Sequence, residues 1–390
     1  MSSSENPSLI QLFLSFLRLG ISSFGGPSMV VYIRKHVVQK KNWLDGNTFD
    51  NGVALSQMIP GATAIQSAAY VGLKTRGVIG AAVCFIGFGL PAFFLMMIFA
   101  ALYSYTNKIP VVISAFSGLQ AIIVAIVANA TFSFGKNTLK DWRSFVIAFT
   151  AAALFALNIH PIFVILVAAF AGFLLFKTNQ KSTFQNETIQ SMPTHLRAII
   201  LLLSIALAGF VILFFFNRPL FDLAILMFRI DLFAFGGGFA SVPLMYHEFV
   251  EIRNWIDAQT FMNGIILGQV TPGPVVITAT FVGYIMYGFL GGIIATISIF
   301  FPSFLLLVII APLIDKLKAS RYFSKIITGI LCSFVGLLLM VTIHFGIDVK
   351  WNTMHIILSV VAFIALLKKV DILWVVGIGT LFSVLLFYLF

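Results

Sequence analysis

Long apolar runs divided by short polar stretches set the pattern of this chain. Residues 78–105 and 283–313 contain no Asp, Glu, Lys or Arg, and each exceeds the roughly 20 residues that an α-helix needs to cross a bilayer. The pattern predicts an all-α polytopic membrane protein. Four other apolar segments, residues 10–32, 51–73, 221–245 and 262–287, are interrupted. In the first, Gly25 and Gly26 lower the cost of an unusual backbone turn, and Pro27 ends one helix but suits the first turn of the next. Pro60-Gly61 and Pro272-Gly273-Pro274 break theirs because proline lacks the N–H the helix needs and clashes one turn back. A break at membrane depth leaves backbone groups unpaired, which is tolerable only inside protein or beside a wet cavity. A helix restarting there aims its positive end at that point.

The breaks belong to a repeat. Leu17-Arg18, Phe24-Gly25-Gly26, Trp43, Gln57, Pro60-Gly61, Val71-Gly72, Gly77, Gly80 and Pro91 recur as Phe228-Arg229, Phe235-Gly236-Gly237, Trp255, Gln269, Pro272-Gly273, Val282-Gly283, Gly288, Gly291 and Pro302, always 211 or 212 residues later. Residues 1–176 and 218–390 are therefore read as two copies, joined by a linker and one extra helix in 177–217. Each copy has two broken segments followed by four plainer ones. An even number of crossings per copy plus the extra helix inverts the second copy relative to the first.

Charge tests that inversion. The loop after the first break carries Arg34, Lys35, Lys40 and Lys41 against Asp45 and Asp50 in copy one, but Glu248, Glu251 and Asp257 against Arg253 in copy two. With the broken segments drawn as re-entrant hairpins, most Lys and Arg fall on the cytoplasmic side, as the positive-inside rule requires, and the split is sharper than for full crossings. The expected fold is thus two inverted-topology repeats whose broken helices meet near the bilayer midplane, with a cytoplasmic N-terminus. The 390 residues are 60% hydrophobic and carry a net charge of +11. Because those charges sit in short loops, they need no nucleic acid to explain them. Cys84 and Cys332 lie in apolar segments, and no metal cluster, cofactor or catalytic nucleophile is expected.

What the breaks offer is an anion site. Ser23, Gly25, Gly26, Ser28, Gln57, Gly61, Thr63 and Gln66 in copy one, with Gly236, Gly237, Gln269, Thr271 and Gly273 in copy two, combine backbone N–H groups with amides and hydroxyls. Arg18 and Arg229 hold equivalent positions before the glycine breaks. A charge at bilayer depth costs on the order of 3 kcal/mol and so faces a partner or a wet cavity. Two planar guanidinium forks converging on one centre favour an oxyanion, a dianion above all. Asp231 and Asp50 are candidates for a coupling proton, although an ion-pair role, Arg229 with Asp231, competes. His36, His247 and Glu248 read as solvated, and Trp43 and Trp255 as interfacial anchors.

The run Leu19 to Pro27, Trp43-Leu44, Pro60-Gly61, the Gly-Leu-Pro ending at Pro91, Phe235 to Gly238 and Thr271 to Pro274 resemble the chromate ion transporter family in its long, two-domain form, across nearly the whole chain. The first copy departs from the family's Pro-Gly-Pro with Pro60-Gly61-Ala62. The resemblance implies a plasma-membrane exporter of chromate, with sulfate as a similar competing oxyanion, that confers chromate resistance. Its expected partners are a small oxyanion, the bilayer and, as an option, a second copy of the chain. A passive anion channel of the same build, or a scaffold that transports nothing, is separated from a transporter by whether flux runs against a gradient and whether any dianion binds.

Overall fold

The computed structural model describes residues 7–24, 28–176, 192–313 and 320–388, and Gly25, Gly26 and Pro27 lie outside them. Copy one comprises α1 (Leu9–Ser22), α2 (Ser28–Arg34), a π-helical stretch (Lys35–Lys40), α3 (Gly46–Met58), α4 (Thr63–Thr106), α5 (Pro110–Thr138), α6 (Trp142–Ala156) and α7 (Pro161–Leu175). After α8 (Met192–Phe216), copy two follows with α9 (Arg218–Phe233), a 3-10 turn (Gly238–Ala240), α10 (Ser241–Tyr246), a π-helical stretch (His247–Ile252), α11 (Ala258–Val270), a second 3-10 turn (Val275–Ile277), α12 (Thr278–Ile310), α13 (Arg321–Asp348), α14 (Thr353–Leu367) and α15 (Ile372–Tyr388). No strand occurs among the described residues. Among the described residues, five helices are long and apolar enough to cross a membrane. One is α8, whose apolar window buries nothing and which packs along α9 and α12 alone to any extent.

The copies match down to backbone detail. Asp45 caps α3 by accepting from the Thr48 N–H, and Asp257 caps α11 by accepting from the Thr260 N–H. Asn42 and Asn254 both adopt φ +50°, a conformation asparagine tolerates. Neither α4 nor α12 is straight. Gly77 (φ +64°) and Gly288 (φ +63°) fold each back on itself. A Cβ on Gly72 would lie 2.1 Å from the Gly80 carbonyl oxygen, and one on Gly291 2.1 Å from that of Gly283. Eight residues along a straight helix would separate those positions by roughly 12 Å. The recurrent glycines therefore specify a helical hairpin with touching backbones.

The copies also exchange partners. The long helix α5 packs against α14 and α15, and its counterpart α13 packs against α6 and α7. Thr131 on α5 and Thr342 on α13 occupy equivalent positions, and their hydroxyls bond each other at 3.1 Å. A residue that touches its own counterpart marks a two-fold axis, as in an isologous dimer. The buried core, from Leu12 and Phe16 through Phe88 and Phe281 to Phe334 and Phe345, is continuous between the copies. Each therefore completes the other.

Candidate functional site

The breaks meet through two reciprocal backbone bonds. Gly61 N–H donates to the Ala234 carbonyl (3.0 Å), and Gly273 N–H donates to the Ser23 carbonyl (3.1 Å). Ala234 stands in copy two where Ser23 stands in copy one, so each copy's proline break is tied to the other's glycine break. Positive φ at Gly61 (+111°), Gly273 (+121°), Gly236 (+103°) and Gly237 (+93°) gives the chain the turns it needs. There is no room for a side chain at the first two: a Cβ on Gly61 would lie 2.3 Å from Ser303 Cβ, and one on Gly273 2.8 Å from Ala92 Cβ. Ala92 and Ser303 directly follow Pro91 and Pro302, so each proline break rests on the other copy's kinked helix.

Polar groups gather at these crossings. Ser23 is fully buried and its hydroxyl has no partner among the described residues; the same holds for Gln269 Nε2 in the last turn of α11. The Gln66 amide donates to the carbonyls of Pro60 (2.6 Å) and Ser303 (3.3 Å), leaving its Oε1 unpartnered. Thr63 is half-buried and its hydroxyl faces Gly237. Thr271 is buried and bonds the Gly268 carbonyl. Gly236 packs against the Phe134 ring.

Other expected residues lie elsewhere. Gln57 is exposed, and the side chain of Ser28 lies outside the described ones. The helices that restart after the glycine breaks, seven residues in α2 and six in α10, each run directly on into a π-helical stretch. Asp50 does not face the interior. It pairs with Arg34 (3.1 Å) with its side chain 57% exposed.

The arginines do not meet. Arg229 is held by Glu248 (3.5 Å) and His160 (3.3 Å), not by Asp231. Arg253 adds a contact to Glu248 (3.4 Å), and Arg229, Glu248 and His160 line a pocket with Pro161 and Leu244. Arg18 is exposed and forms no ion pair among the described residues; in copy one His36 occupies Glu248's position. Two sequence expectations are corrected here: His247 and Glu248 are buried rather than solvated, His247 bonding Glu251 (2.7 Å). The tryptophans pack inward, Trp43 edge-on to His36 and Trp255 against Phe249.

Sequence reasoning missed Ser303, Phe134 and His160. Ser303 had a signal, its place after the repeated proline. His160 had none, since it reaches Arg229 from the other copy through the fold alone.

A family model described as Chromate transporter matches residues 10–173 and again residues 221–384. The chain belongs to the chromate transporter family. An uncharacterized transporter of Methanocaldococcus jannaschii is 43% identical over 100% of this chain and 96% of its own length. A chromate transport protein of Pseudomonas aeruginosa is 27% identical, covering 85% of this chain and 80% of the relative. An uncharacterized transporter of Bacillus subtilis is 32% identical over 46% of this chain but 93% of its own length, so a relative of about one copy's size exists. No solved structure matches this chain. As a chromate transporter family member, the chain is a multi-pass membrane transporter and not an enzyme.

Proposed function

We propose that this protein is a secondary transporter that carries chromate or a related tetrahedral oxyanion, such as sulfate, out across the plasma membrane and so confers chromate resistance. The observation that carries this reading is the reciprocal pairing of Gly61 with Ala234 and of Gly273 with Ser23, which brings breaks from both copies together in the interior. Beside it, the Ser23 hydroxyl and the Gln269 amide are buried donors without acceptors among the described residues. Such donors are costly in a protein interior unless something accepts from them, and a dianion is a strong acceptor. Thr63 and the N–H groups of Gly236 and Gly237 add donors, while Gly61, Gly273, Thr271 and Gln66, whose donors are spent on backbone carbonyls, frame the site, with Gln57, Gly25, Gly26 and Ser28 on the same segments. Arg18 and Arg229, each seven residues ahead of its glycine break, supply positive charge at its entrances.

Alternating access follows from two-fold construction. If the axis lies in the membrane plane, exchanging the conformations of the two copies exchanges inward and outward states around a fixed site. The N-terminus is then cytoplasmic, and cysteines introduced at Lys40 and Glu251 label from opposite faces; labelling from one face would contradict inversion. The decisive experiment is counterflow in proteoliposomes: preloaded sulfate or chromate should drive uptake of labelled sulfate, whereas chloride should not. Absence of counterflow for every tetrahedral dianion would end this reading.

A further inference from the structure

One crossing carries a group that an anion site does not require. Asp231, in the last turn of α9, is fully buried; its Oδ2 accepts from the Ser303 N–H (2.8 Å) and its Oδ1 has no partner among the described residues. Gln66 Oε1, on the amide that also bonds the Ser303 carbonyl, is a second buried acceptor without a donor among the described residues. Among the described residues, no charged side chain pairs with Asp231. On its own helix, Arg218 lies 4.0 Å from Asp222, and Arg229 is held by Glu248 and His160. Along α12, from Thr278 to Ile310, there is no Asp, Glu, Lys, Arg or His, and only Tyr284 and Tyr287 carry acidic hydroxyls. The ionisable residues of α8 are His195 and Arg197, at its start, and α10 has only Tyr246, bonded to Asp348. Of the charges in α4, Lys74 lies over the Tyr70 ring and Arg76 bonds the Pro7 carbonyl.

We infer that the corner formed by Asp231, Ser303 and Gln66 binds and releases a proton during each transport cycle, at Asp231 Oδ1, and so couples anion movement to the proton gradient. This rests on the transport reading above. A proton on Asp231 Oδ1 turns that carboxylate oxygen into a donor and removes an uncompensated buried charge. A metal cation is a poorer fit. The Pro60 and Ser303 carbonyls already accept from Gln66, and the Ser303 hydroxyl donates to Phe300, whereas a hard cation takes six or so oxygens. The proton also reaches the moving parts. Ser303 N–H bonds an ionised carboxylate more strongly than a neutral acid, and Ser303 sits against Gly61, whose N–H crosses to Ala234 in copy two. Protonation thus loosens one of the two reciprocal crossings and leaves the other alone.

The test uses full-length protein in proteoliposomes, with labelled sulfate and the membrane potential clamped to zero. In wild-type protein, a one-unit pH gradient should drive sulfate accumulation of up to about tenfold for one proton per anion, since a pH unit is a factor of ten, with matching proton flux reported by a trapped pH dye. Asp231→Asn should lose gradient-driven accumulation and the dye signal while sulfate counterflow persists, and Asp231→Glu should restore part of both. Wild-type counterflow with no sulfate accumulation or proton flux under a pH gradient, an accumulation driven by sodium instead, or an Asp231→Asn variant that still follows the pH gradient would each overturn the inference. Absence of wild-type counterflow would defeat the transport reading itself, a distinct result. The wild-type dye measurement stands even if the variant does not fold.

Discussion

At one crossing, Gly61 leans on Ser303 and a buried carboxylate, Asp231, holds the Ser303 N–H. At its twin, Gly273 leans on Ala92, and the position equivalent to Asp231 is Gly20. There the glycine brings α1 directly onto the kinked helix: a Cβ on Gly20 would lie 2.5 Å from the Phe88 carbonyl oxygen. The same backbone geometry is thus held by close packing in one half and by a charged or protonatable side chain in the other. The loops past the glycine breaks diverge likewise. Copy one carries Arg34, Lys35, His36, Lys40 and Lys41, and copy two carries His247, Glu248, Glu251 and Arg253 in corresponding places. Duplication supplied a symmetric frame, and substitution at a few positions gave its halves different chemistry.

The largest effect on this comparison is expected from Gly61→Ala, which introduces a side chain at φ +111° and 2.3 Å from Ser303 Cβ. A loss on the order of 3 kcal/mol is expected, together with loss of transport. Gly273→Ala, which meets only the Ala92 methyl at 2.8 Å, should be milder; melting temperatures in detergent rank the pair, and equal losses would erase the difference between the crossings. Next comes Arg229→Gln. It leaves Glu248 buried with only Arg253 and His160, and should cost about 1–3 kcal/mol, the range for a buried polar group that loses a partner. Arg18→Gln removes a cation with no ion-pair partner among the described residues and should leave the melting temperature unchanged while slowing oxyanion uptake. A matching destabilisation in both variants would show that the arginines are structural twins after all.

Smaller still is the cap at Asp45, whose carboxylate accepts from Thr48 and is thereby held below its ordinary value near 3.8. Its contribution is complete above that ordinary value and fades as pH falls through the lower folded-state value. Asp45→Ala should cost about 1 kcal/mol at neutral pH and nothing once the carboxyl is protonated, as melting curves at several pH values would show. Ser303→Ala should have the least effect, because Asp231 is held by the backbone N–H and alanine is what copy one already uses at Ala92. A large loss there would place the hydroxyl in the site.

Much of the frame was legible in the sequence because it is written in residue types with few conformational options. Apolar length predicted the helices, proline and glycine located the breaks, and the constant offset showed that one module occurs twice. The glycines at 72, 80, 283 and 291 were visible as repeats, but that they let two helical limbs touch was not. The candidate site was legible only in part. Ser23, Gly61, Gln66, Thr63, Gly237, Gln269 and Gly273 come to the crossings as their segments foretold, whereas Arg229 turned to Glu248 and His160, and Asp50 turned outward to Arg34. Backbone breaks follow from local sterics, which a sequence records residue by residue. Which side chain faces which depends on helix rotation and on helices hundreds of residues apart, so the pairing of Ser303 with Asp231 and the exchange of α5 and α13 between copies were settled only when the chain packed against itself.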